Sequence, residues 1–184
     1  MEKIQGGGTS IPVHYYLDHS PYFITAATYH HQRLLTDSIK PELHRTLHRV
    51  FAEYGWRIDH WVILDDHYHL LARSHSGRDL PRIINKVHNQ TAQRINRSFP
   101  PDRRAHQRVW YNYWDYCPRN ERDYRVRLCY LLNNPYKHGY VEDLHDWRWS
   151  SFRSLFGERG DEETRRLFRD HPEYRSLRLP EDDL

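Results

Sequence analysis

The chain has 184 residues, 38% hydrophobic and 14% aromatic, with a mean hydropathy of -1.00 and a formal net charge of +3. That length fits one domain with a real core, and so many aromatic residues exclude a disordered chain. No apolar run is long enough to span a membrane, and Cys117 and Cys129 form no CxxC pair, a usage that suits a reducing cytoplasm.

Residues 1–14 read as a flexible leader around Gly6-Gly7-Gly8. Tyr22 to Tyr29 (YFITAATY) is β-branched and aromatic, which predicts a strand. Lys40-Pro41 opens a helix, with Leu43, Leu47, Val50, Phe51 and Tyr54 at helical spacing and Gly55 as its stop. Trp56 to Leu64 predicts a second strand. Asp65-Asp66 breaks it, and His67 to Arg73 (HYHLLAR) predicts a third, antiparallel to the second.

Asp79 is a candidate cap for a helix with Pro81 in its first turn, running to about Ser98. Its inner stripe is Leu80, Ile83, Ile84, Val87, Thr91 and Ile95. The stretch 78–108 holds eight Lys/Arg against two Asp, and phosphate backbones attract such a footprint. Arg82, Lys86 and Arg97, with Arg103 and Arg104 beyond the helix, are the candidate nucleic-acid contacts. Val109 to Tyr116 (VWYNYWDY) predicts a fourth strand, whose Trp110, Tyr113 and Trp114 could stack on unpaired bases or fill a sheet-face core. Asn120 to Asn134 predicts a helix that Pro135 ends. Residues 157–184, nine acidic against six Arg, read as a peripheral, partly helical tail. These elements add up to an α+β fold: helices packed on a mainly antiparallel sheet.

Two constellations carry chemistry. Residues i and i+2 of a strand share a face, about 6.5–7 Å apart, so His67 and His69 project together and can share a metal ion. Asp65 and Asp66 stand ready to ligate or to orient an imidazole. His30-His31 and the His44/His48 pair read as ordinary imidazoles. In the last long helix, Tyr124, Leu128, Leu131 and Leu132 mark the core arc, and Tyr130 lies about 140° from its middle, among Asp123, Arg127 and Asn134. Tyr130 and Asn134 are one turn apart on the same face. A tyrosine hydroxyl beside an amide oxygen suits reversible phosphoryl transfer, because a phosphotyrosine ester keeps the energy of the cleaved bond.

Three stretches then carry a family resemblance: WVILDDHYHLLAR (61–73), WYNYWDYCPRNERDY (110–124), and YLLNNPYKHGYV (130–141) followed by WSSFR (149–153). In these motifs, their order and their spacing, residues 15–156 resemble the HUH single-strand transposases of small insertion sequences, above all the REP-associated tyrosine transposases. Asp65 stands where the family tends to have proline, and Tyr68 where the middle position is usually aliphatic; relatives outside the REP-associated group usually place glutamine at the position of Asn134. The resemblance implies a ferredoxin-like HUH domain in which His67, His69 and Asn134 hold Mg²⁺ or Mn²⁺ and Tyr130 is the nucleophile. It also implies hairpin-bearing single-stranded DNA as partner, and a chain that acts as a monomer or as a helix-exchanging homodimer. The alternative is a domesticated relative that binds hairpin DNA without cutting it.

Overall fold

The computed structural model describes residues 16–99 and 108–179. Four strands, β1 (Pro21–Thr28), β2 (Arg57–Ile63), β3 (His67–Arg73) and β4 (Trp110–Tyr116), form one antiparallel sheet in the order β2-β3-β1-β4. The central pair is therefore β3 and β1, and β3 is buried along nearly its whole length because both sheet faces are covered.

Side-chain alternation assigns the two faces. Tyr22, Ile24 and Ala26 of β1, with Tyr68, Leu70 and Ala72 of β3, meet helices α1 (Lys40–Glu53) and α2 (Leu80–Ser98). The buried residues of α2 are the six of the predicted stripe. Asp79, however, makes no side-chain cap; α2 instead continues a 3-10 turn at Gly77–Asp79, so the chain enters the helix already wound.

On the opposite face Phe23, Val62, Leu64 and Leu71 meet helix α3 (Glu121–Lys137). Asn120 caps α3 by accepting the Asp123 N–H at 2.9 Å. Pro135 does not end the helix. It sits in the last turn, where few hydrogen bonds remain to lose, and α3 runs on to Lys137. That extra turn matters for the site.

Residues 157–179, expected as a peripheral, partly helical tail, are largely helical and pack on the body of the fold. Helices α4 (Phe152–Arg159) and α5 (Asp161–Asp170), with the turn at Pro172–Arg175, form a third layer over α3. Leu155, Leu167, Tyr174 and Leu179 are buried there, and Cys129 Sγ lies 3.6 Å from the Leu167 carbonyl. The acidic count of this stretch hid its apolar stripe. α3 is thus buried on two sides, from Val126 to Leu132 without a break.

The WSSFR stretch closes an edge of the sheet. Ile63 N–H donates to Trp149 O and Ser151 N–H to Trp61 O, both at 2.9 Å, so the C-terminal end of β2 is covered at the sheet edge. No helix among the described residues is long and apolar enough to cross a membrane.

Candidate active site

His67 and His69 project from β3 toward α3, while Tyr68 between them turns away and meets His88 Nε2 at 3.0 Å. Both imidazoles are buried, 5% and 1% exposed, with ring centroids 5.0 Å apart.

Each ring is fixed by its Nδ1. For His69 the partner is Thr25 Oγ1 at 2.7 Å, directly across in β1. Burial, then the fields of His67, His138 and Lys137, hold its pKa well below the ordinary histidine value. The ring is therefore neutral near pH 7, the form a metal requires. For His67 the partner is Asp66 Oδ1 at 2.7 Å. Burial tends to raise the Asp66 pKa, but hydrogen bonds from His67 and His31 outweigh it and keep the group below the usual carboxylate range.

The two adjacent acids divide their work. Asp65 turns outward to Lys40 and Arg33, each at 2.5 Å. Asp66 turns inward and bridges His67 to His31, whose Nδ1 lies 3.1 Å from Oδ2. His30 and His31 both hold left-handed backbone conformations, φ 53° and 49°, which is how this turn brings the His31 ring to Asp66. Paired left-handed residues are costly and cluster at functional sites. His31, expected as an ordinary imidazole, is carried to Asp66 by a bend that nothing in a HisHis pair marks. His31, Asp66 and His67 also group closely enough to suggest a metal cluster. Their Nδ1–carboxylate hydrogen bonds account for that proximity, and they leave the Nε2 side of His67 for other work.

That side faces Asn134, which is 0% exposed and places Oδ1 2.9 Å from His67 Nε2. With the ring proton on Nδ1, toward Asp66, His67 Nε2 and Asn134 Oδ1 each present a lone pair that a cation between them would use. An octahedral Mg²⁺ with ligands at about 2.0–2.1 Å sets neighbouring donors about 3 Å apart, so the 2.9 Å spacing fits. Asn134 Nδ2 is buried without a hydrogen-bond partner among the described residues. His67, His69 and Asn134 are thus a donor set suited to Mg²⁺ or Mn²⁺.

One turn before Asn134 stands Tyr130. The expectation of an off-core, polar placement is corrected: Tyr130 is 2% exposed, its ring edge-on to His69 at 5.5 Å and to Phe23 at 6.2 Å. A helix with a single buried face would leave Tyr130 outside the core. α3 has two buried faces, and its sheet side is the one carrying Arg127, Tyr130 and Asn134, while Cys129 points to the C-terminal layer. Arg127 pairs with Asp123 at 3.2 Å on this helix.

Two residues missed in the sequence belong to the extra turn of α3. Lys137 Nζ donates to Tyr130 Oη at 3.0 Å, and the His138 ring lies 5.0 Å from that of His67. They follow Tyr130 by seven and eight positions, helical spacings that a helix ended at Pro135 cannot use. All of these groups come from one chain, with α3 folded over its own β3.

The part of the basic stretch on α2 is placed elsewhere. α2 packs on the sheet face opposite the histidines, where Lys86 pairs with Glu53 at 2.6 Å and Arg82 lies 3.8 Å from Asp79. Arg82, Lys86 and Arg97 are therefore not brought to the site; Arg103 and Arg104 lie outside the described residues. His44 packs on Trp61 at 4.2 Å, and burial, with a smaller push from His48, lowers its pKa to about 4, in keeping with an ordinary imidazole.

Residues 17–125 match a family profile described as "Transposase IS200 like". The profile includes the His67/His69 strand and stops short of Tyr130. A REP-associated tyrosine transposase of Escherichia coli (strain K12) is 26% identical over 143 residues, covering 75% of this chain and 79% of that protein. A Haemophilus influenzae protein named for the same group is 28% identical over 144 residues, covering 71% and 82%. A solved REP-associated tyrosine transposase bound to a REP hairpin superposes with a TM-score of 0.67 at 25% identity, covering 79% of this chain and 84% of that one.

Proposed function

From the premise that this chain belongs to the IS200-like transposase family and resembles its REP-associated tyrosine transposases, we propose that it cuts and rejoins single-stranded DNA at hairpin-bearing sequences. One observation carries this reading: successive turns of a single helix set a tyrosine hydroxyl and an amide oxygen over two buried histidines, each held at Nδ1 by a neighbouring oxygen.

In this reading Tyr130 Oη attacks the scissile phosphorus as the P–O3′ bond breaks. The products are a 5′-phosphotyrosine and a 3′-oxygen that takes up a proton. A 3′-OH of a second strand reverses the step, regains the P–O3′ bond and frees Tyr130. Mg²⁺ or Mn²⁺ held by His67, His69 and Asn134 would supply Lewis-acid polarisation of the phosphate. Asp66 and Thr25 hold the two imidazoles in register, and the buried setting limits water's access to the ester. Lys137, cationic and in contact with Oη, stabilises the phenolate that attack requires. In this reading the protein acts as a monomer, with α3 completing the site of its own chain.

Incubation with Mn²⁺ and hairpin-bearing single strands is expected to give a covalent protein–DNA adduct on a denaturing gel. Binding without adduct would replace this reading with that of a non-catalytic hairpin binder. Lys137→Met is expected to slow cleavage on the order of 100-fold near neutral pH, with the deficit shrinking as pH rises and the phenol ionises unaided. The rate–pH profile is the check; a uniform loss at every pH would assign Lys137 to phosphate binding instead.

A further inference from the structure

Strand β4 is the sheet edge next to β1, and its aromatic residues divide between the two faces. Trp110 is buried, lying flat on His88 at 4.3 Å and donating to Thr91 Oγ1, and Tyr113 packs on the same core. Tyr111 and Trp114 take the other face. The register shifts between Ala26 and Thr28, so that Tyr111 and Asn112 together stand opposite Ala27. Such a bulge at a sheet edge re-aims a side chain. Here it turns Tyr111 toward the histidine side: its ring is stacked with Trp114 at 6.0 Å and with Tyr29 at 6.1 Å, each pair 29° from parallel.

Arg108 lies over this row, its Cζ 5.1 Å from the Tyr29 ring centre and 5.3 Å from that of Tyr111. The three rings are half-buried and Arg108 is exposed, so the row is not a finished core. Beside it lies a cavity of about 110 Å³ lined by Ala27, Thr28, His30, His31 and Tyr111. His31 Nε2, buried in that wall, has no hydrogen-bond partner among the described residues.

The sheet register ties the row to the active site. Thr25 pairs with His69 on one side and with Trp114 on the other, and Ala27 pairs with His67. Trp114 is therefore two strands from His69, about 10 Å across the sheet. A strand whose phosphate lies at the histidines has its neighbouring nucleotides over this row. Rings with a cation above them suit unpaired bases, which every single strand offers, and do not suit a paired duplex.

We propose that Tyr29, Tyr111 and Trp114, with Arg108, form a stacking platform for unpaired bases adjacent to the phosphate that Tyr130 attacks, and that the His31 cavity receives a base edge. This rests on the reading of the site as one for single-stranded DNA. The test uses full-length protein in chelator and a DNA hairpin with a mixed-sequence single-stranded flank, 2-aminopurine being stepped along the flank. Wild-type protein is expected to quench the probe at one or two positions, and Tyr111→Phe and Trp114→Phe to keep that quenching. Tyr111→Ala and Trp114→Ala are expected to abolish it and to weaken binding of the flanked strand about tenfold, with the unflanked hairpin changed by less than about twofold. No quenching at any flank position, quenching that survives both alanine variants, or equal weakening for the unflanked hairpin would each overturn the platform. Since no cutting is involved, its failure leaves the cleavage reading standing. Absence of a covalent adduct with the quenching intact would sink cleavage alone.

Discussion

Tyr130→Phe protein is expected to form no covalent adduct and to cut at least about 10⁴-fold more slowly than wild type, while folding and binding DNA normally. The substitution removes one oxygen. The ring keeps its edge-on contacts with His69 and Phe23, and the losses include the hydrogen bond from Lys137, an exposed residue. An exposed-side hydrogen bond of that kind contributes about 1 kcal/mol or less, or roughly 2–4 °C in the thermal midpoint of a chain this long. Stability and chemistry are thus separable at this position. Tyr136, 57% exposed on the same helix, is the natural alternative nucleophile. Adduct surviving in Tyr130→Phe and mapping to Tyr136 would sink the assignment; a thermal midpoint lowered by much more than the estimate would show that the hydroxyl is structural.

The fold was legible because most elements announce their own period. The α2 stripe and the strand pair around Asp65-Asp66 each rest on local spacing and a local stop signal, and the structure keeps them. What misled was anything decided by a third layer. Tyr130 looked solvent-facing because a helix with one buried side would leave it so, and only the packing of α5 and the Pro172–Arg175 turn on α3 reverses the count. The same packing was invisible in a tail whose charge masks Leu167 and Tyr174. Pro135 misled for a different reason: a helix-breaking residue breaks little in the final turn, and Lys137 and His138 were lost with that turn. His31 reaches the site through two left-handed residues, and backbone bends of that kind carry no periodic signal. The separation of α2 from the histidines is likewise a matter of which sheet face a crossover selects, which net charge does not report.

The second large effect concerns the histidines, and it has a readout independent of cleavage. A ligand that binds only the folded state stabilises it, by about 2.7 kcal/mol at a hundred times its Kd, which for this length is roughly 5–10 °C in the thermal midpoint. Mn²⁺ is therefore expected to raise the wild-type midpoint in a saturable way, and His67→Ala to abolish both that shift and metal-dependent cleavage. Without metal, the variant should stay folded. It removes a buried imidazole and its contact with Asn134 Oδ1, while the two apolar clusters on the sheet faces are untouched. Asp66→Asn tests the outer support. It keeps the shape but loses the charge that fixes Nδ1 of His67, and should move the Mn²⁺ titration to about 10- to 100-fold higher concentration with the same plateau. This graded pair separates a ligand from a group that orients one. An unchanged Mn²⁺ shift in His67→Ala would instead place the ion among the other carboxylates, and the two histidines would then be packing residues of a strand that merely resembles a metal motif.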